Sequence, residues 1–127
     1  MTATQEVEAL ASLATEIRAL ASTVAELPQP SVAPPAIVED LTVIGSQARN
    51  ALAALARLQE LAPYGPAAEL DTLLHRMNNF FTGIASLATL CRDDVLGAPA
   101  LSALLVEVER QARRSADCVR ELARTQR

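Results

Sequence analysis

The chain holds a single histidine, His75, and the residues around it are the ones equipped for chemistry. Asn78, Asn79 and Thr82 follow it by three, four and seven residues, and Asp71 precedes it by four. On a helix those spacings bring all five side chains to one side. The surrounding run predicts such a helix. Leu70, Leu73, Met77, Phe80, Ile84, Leu87 and Cys91 alternate at three and four residues, the spacing of a heptad seam that buries one stripe and leaves the opposite one wet. With Leu70 and Leu73 as the a and d positions, His75 falls at f, away from the seam. A wet imidazole beside two carboxamides, a hydroxyl and a carboxylate suits phosphoryl transfer through histidine. The nucleophile must be exposed, because a bulky donor and acceptor approach it in line, and histidine changes charge near neutral pH. Asp71 is placed to orient one ring nitrogen. Asn79 is placed to hydrogen-bond a phosphoryl oxygen or to position a water. The spacing alone also fits an ordinary surface histidine among solvated amides, since short motifs recur by chance.

The string His75-Arg76-Met77-Asn78-Asn79-Phe80-Phe81-Thr82-Gly83-Ile84 resembles the histidine box of sensor histidine kinases. In that family the box lies on the first helix of the dimerisation-and-histidine-phosphotransfer hairpin. The resemblance spans about residues 67–127. It implies that His75 is the phosphoacceptor and that Asn79 is the polar residue one turn later linked to phosphatase chemistry. Thr82 would join Asn79 in contacting the phosphoryl group or its water, with Asp71, Arg76 and Asn78 in support. Arg76 stands where many members carry an acid that assists autophosphorylation. The four glycines, Gly45, Gly65, Gly83 and Gly97, are scattered and build no phosphate-cradling loop. The expectation is therefore a stand-alone histidine phosphotransfer protein without its own ATP-binding domain, and not an autokinase. The partners implied are a response-regulator receiver domain, a histidine kinase and a second copy of the chain. No cofactor or metal is expected on this chain, with Mg²⁺ held by the receiver. Two other readings stay open: a non-catalytic helical dimerisation or docking adaptor, and a response-regulator phosphatase using Asn79.

The elements that must position the box are helices. Leu10, Leu13, Ile17, Leu20, Val24 and Leu27 predict a first helix over 4–27, which Pro28 stops. Residues 28–35, Pro-Gln-Pro-Ser-Val-Ala-Pro-Pro, cannot be helical and read as a stiff connector. Ile37, Leu41, Ile44, Ala48, Ala51, Leu55 and Leu58 predict a second helix over 36–62. Pro63-Tyr64-Gly65-Pro66 is a tight break. The histidine helix spans 67–92, the turn 93–98 follows, and Pro99 opens a fourth helix over 99–126. Its seam is Leu101, Leu105, Val108, Ala112, Ser115, Val119 and Leu122. Small Ala112, Ser115 and Ala116 are suited to face Met77, Phe80 and Phe81, and the antiparallel register sets His75 level with about Ala116.

The predicted fold is all-α, an antiparallel bundle of four helices, divided into an N-terminal hairpin over 1–62 and a phosphotransfer-like hairpin over 63–127. Either one chain closes its own bundle, or two copies pair through their second hairpins. The resemblance favours the homodimer.

Composition bounds the rest. Half of the 127 residues are apolar, with one Tyr, two Phe and no Trp, so the core is built from aliphatic side chains. The net charge is −4 and all eleven basic residues are Arg. The arginines on the last helix alternate with Glu107, Glu109, Asp117 and Glu121, a salt-bridged solvent face and not a nucleic-acid patch. Cys91 and Cys118 with one histidine make no metal-ligand pattern. No secretory leader opens the chain and no apolar run spans a bilayer, so a cytoplasmic protein without a membrane partner is expected.

Overall fold

A computed structural model describes residues 3–29, 31–62 and 65–125. Among them the chain forms four long helices and no strand: α1 Ala3–Ala25, α2 Val38–Leu61, α3 Ala67–Asp94 and α4 Pro99–Thr125. Proline marks the starts of three segments. After α1 the chain folds back through Glu26 and Leu27, whose N–H groups donate to the carbonyls of Thr23 and Val24 at 3.0 and 3.1 Å. Pro35 opens a short 3₁₀ turn, Pro35–Ile37, instead of α2 itself. Pro66 precedes α3 and Pro99 is the first residue of α4, where a missing N–H costs no helix hydrogen bond. Pro63 and Tyr64 of the tight break, and Gln126 at the expected end of the last helix, lie outside the described residues. Gly65 is required where it stands: a Cβ there would sit 2.7 Å from the Leu61 carbonyl oxygen.

The helices pack in a ring, α1 on α2, α2 on α3, α3 on α4 and α4 on α1, with no close backbone approach across either diagonal among the described residues. One hydrophobic cluster runs through all four, so the two hairpins share a core. The seams read for α2 and α4 are buried except for Leu101, which is half-buried. On α1, Leu10 and Val24 sit at the edge while Leu13, Ile17 and Leu20 are inside, as is Leu27 just past its end. The inner face of the α3–α4 hairpin is covered by α1 and α2 of the same chain.

On α3 the buried stripe differs from the heptad expectation. Leu70, Leu73, Met77, Ile84 and Cys91 are buried, but Phe80 and Leu87 are only half-buried. Leu74, Phe81, Ala85 and Ala88 are buried as well. The reason is geometric. A two-helix seam needs a narrow a/d stripe, whereas α3 lies between α2 and α4 and buries a wider arc. A helix with 3.6 residues per turn also drifts against a seven-residue repeat. Phe81, with no exposed surface, is the largest fully buried side chain.

Two ion pairs tie neighbouring helices together. Arg57 on α2 meets Glu69 on α3 at 2.5 Å, and Arg92 on α3 meets Glu109 on α4 at 2.6 Å. No helix is long and apolar enough to cross a membrane among the described residues.

Candidate functional site

The outward face of α3 exposes Asp71, His75, Asn79 and Thr82, and leaves Asn78 half-buried. This follows from the packing beneath them: with Leu74, Met77 and Phe81 locked into the core, the residues between must face out. His75 and Asn79 have no hydrogen-bond or ion-pair partner among the described residues. Both ring nitrogens and the whole Asn79 carboxamide are thus available to an incoming group.

His75 stands on the flank of α3 that meets α4. There it lines a shallow pocket of about 160 Å³ with Asp71, Leu74, Asn78, Val119, Arg120 and Ala123. The register between the two helices is shifted from the sequence expectation. His75 lies beside Val119, Arg120 and Ala123 instead of Ala116, which borders a second groove with Phe81. The turn is shorter than expected, because α3 continues through Asp94.

Each supporting residue finds a definite place. Asp71 shares the pocket with His75 but makes no hydrogen bond to it among the described residues. The ring is therefore not oriented by that carboxylate here. Asn78 accepts at Oδ1 from Arg120 Nη1 at 3.5 Å, a long contact at the limit of a hydrogen bond. Thr82 donates its hydroxyl to the backbone carbonyl of Asn78 at 2.8 Å. That proton is committed to the helix, a common arrangement for threonine within helices, and leaves the hydroxyl with acceptor lone pairs only. In this rotamer Thr82 makes any outward contact as an acceptor, for example from a water. Arg76 turns to the opposite flank, toward α2, with its guanidinium 5.9 Å from the Phe80 ring centroid. It lines a groove with Arg57 and Glu69, away from His75.

Arg120 lines the His75 pocket, although reading the last helix as a uniform salt-bridged face does not single it out. That reading describes its neighbours well. Arg110 pairs with Glu107, Arg113 with Glu109 and Arg124 with Glu121, all along α4. Arg120 pairs with Asp117 in the same manner, yet it also reaches across to Asn78. The signal was present in the sequence, one turn beyond Ala116, but its use depended on the register.

Gly83 also sits on the exposed side of α3, and a Cβ there would meet nothing within 4 Å. No neighbour among the described residues requires its smallness. The two cysteines stand apart. Cys91 is buried and its thiol is pushed up to about 11 by burial and by the nearby carboxylates of Asp40 and Asp94, with Sγ 3.9 Å from Asp40. Among the described residues no group of His, Cys, Asp and Glu is arranged to hold a metal ion.

Comparison of the chain with family models, with curated proteins and with solved structures finds no match.

Proposed function

We propose that this chain is a histidine phosphotransfer protein, carrying a phosphoryl group on His75 to or from an aspartate of a response-regulator receiver domain. The observation that supports this most is the state of His75. It is exposed on the outer face of a rigid helix, without an internal partner among the described residues, and Asn79 stands equally free one turn away. A nucleophile on a packed helix is held more exactly in place than one on a loop.

The chemistry is a single displacement in each direction. An imidazole nitrogen attacks the phosphorus of the receiver's acyl phosphate in line. The N–P bond forms as the P–O bond to the aspartate breaks, the carboxylate leaves, and the ring proton passes to water. Return of the group reverses these events. Asn79 offers its N–H groups to a phosphoryl oxygen as charge moves. The magnesium ion used in this reaction belongs to the receiver.

The test is to incubate the protein with phosphorylated receiver domains, and separately with ATP, and to follow acid-labile, base-stable phosphate. Because His75 is the only histidine, the label is unambiguous. Labelling from a receiver that is lost in His75→Ala supports the relay. Absence of label from every receiver, with a receiver still bound, overturns it in favour of an adaptor.

The free carboxamide of Asn79 also supports a second reading, in which it aligns water for hydrolysis of the receiver's phosphate. In that case Asn79→Ala abolishes the loss of phosphate while His75→Ala largely preserves it.

A further inference from the structure

We propose that Arg120 on α4 is the phosphoryl-binding residue of this site, clamping the group while it rests on His75. The proposal builds on the phosphotransfer reading and assigns a role in it to the second helix of the hairpin.

The argument begins with charge. A phosphoryl group carries nearly two negative charges at neutral pH. The pocket beside His75 already presents the Asp71 carboxylate, and Asp117 lies behind Arg120 on α4. Without a cation the product would be repelled by its own surroundings. Among the described residues, Arg120 is the only arginine lining that pocket. A guanidinium also matches the geometry of phosphate oxygens, offering parallel N–H donors.

Position supports the same assignment. Arg120 borders both grooves between α3 and α4, the one with His75 and the one with Thr82 and Arg113. Its reach to Asn78 Oδ1 holds the guanidinium over the α3 face. Its two present partners are weak. The Asn78 contact is long, and the Asp117 pair is exposed, with 57% and 69% of the two side chains accessible, where such pairs contribute little. Arg120 can therefore exchange them for a phosphoryl group at small cost. Asn78, released, becomes a further hydrogen-bond donor to the same group.

The test uses phosphoramidate, which labels an accessible imidazole without any protein donor. Its P–N bond breaks as the N–P bond to the ring forms, and the ring proton leaves with ammonia. The phosphoryl resonance is then followed by ³¹P NMR against pH in the parent, in Arg120→Ala, in Arg120→Lys, and in Arg110→Ala as a control of equal charge change far from the site. A guanidinium beside the phosphoryl favours its doubly charged form. Arg120→Ala is expected to raise the midpoint of the second ionisation by about one pH unit, a tenfold change in proton affinity. Arg120→Lys should recover part of this, and Arg110→Ala should match the parent. A labelled Arg120→Ala with the parent's midpoint overturns the clamp while leaving phosphotransfer standing. A parent that takes no label overturns both. Circular dichroism of each variant separates these outcomes from loss of fold.

Discussion

At the scale of single residues, the site is defined by which polar groups are already occupied. Thr82 and Asn79 lie on the same face with similar exposure, but the Thr82 proton is bonded to the helix backbone and the Asn79 carboxamide is free. Thr82→Ala is therefore expected to change the rate of phosphoryl transfer by less than about threefold, while Asn79→Ala costs more, on the order of tenfold for a lost hydrogen bond to a charged group. Stopped-flow transfer from a labelled receiver measures both. Spacing brought His75, Asn78, Asn79 and Asp71 together on one face, as it must on any helix. It carried no information about which side chains bond to the backbone, because that depends on rotamers. Cys91 offers a second expectation. Its folded thiol ionises near 11 instead of the ordinary 9.0, so the folded state holds this proton after the unfolded chain has released it. Stability is fully present below pH 9 and is lost as pH rises from about 9 toward 11. Urea unfolding across that range checks the slope, and Cys91 should resist alkylation in the native protein at neutral pH.

At the scale of elements, α3 carries the exposed histidine face and a broad buried stripe, and its two phenylalanines differ in depth. Phe81→Ala is expected to cost about 3–5 kcal/mol because it empties a fully buried ring. Phe80→Ala should cost no more than about half as much, since Phe80 is half-buried. Thermal unfolding of the two variants gives the comparison directly. The prolines and the three-and-four spacing made the helices legible to within a few residues, because both effects act locally. The choice of Phe81 over Phe80 was not legible. It depends on α3 having a neighbour on each side, and a seven-residue repeat cannot show how many helices surround a stripe. Gly83 extends the point. With open space beyond it, Gly83→Ala should stabilise α3 by about 1 kcal/mol. If a receiver approaches this face closely, the same substitution weakens docking, so melting temperature and receiver affinity move in opposite directions.

At the scale of the whole molecule, the bundle is complete within one chain. The second hairpin resembles a dimerisation unit, and within one chain α1 packs on α4 and α2 on α3 around a shared core; pairing of two such bundles is a separate property, read from the mass of the full chain in solution. Sequence does not show which helices close the bundle, because the seams of α1 and α2 are equally suited to a hairpin of their own chain or to another helix pair. A fragment carrying only the α3–α4 hairpin exposes that face, and sedimentation should find it self-associated. The full chain sedimented alongside shows how far α1 and α2 suppress the association.

The ring of contacts has a kinetic consequence. Three of its four junctions join helices that follow one another in the chain, and only α1 on α4 joins the two ends. Local junctions form at little entropic cost, whereas the last must wait until both hairpins are in place. Folding should therefore be fast, with the hairpins formed early and the α1–α4 junction closing late. A substitution at Ile17, buried in α1, is then expected to speed unfolding with little effect on the folding rate. The end-to-end junction would open first, uncovering the inner face of α4 before the helix that bears His75 is disturbed.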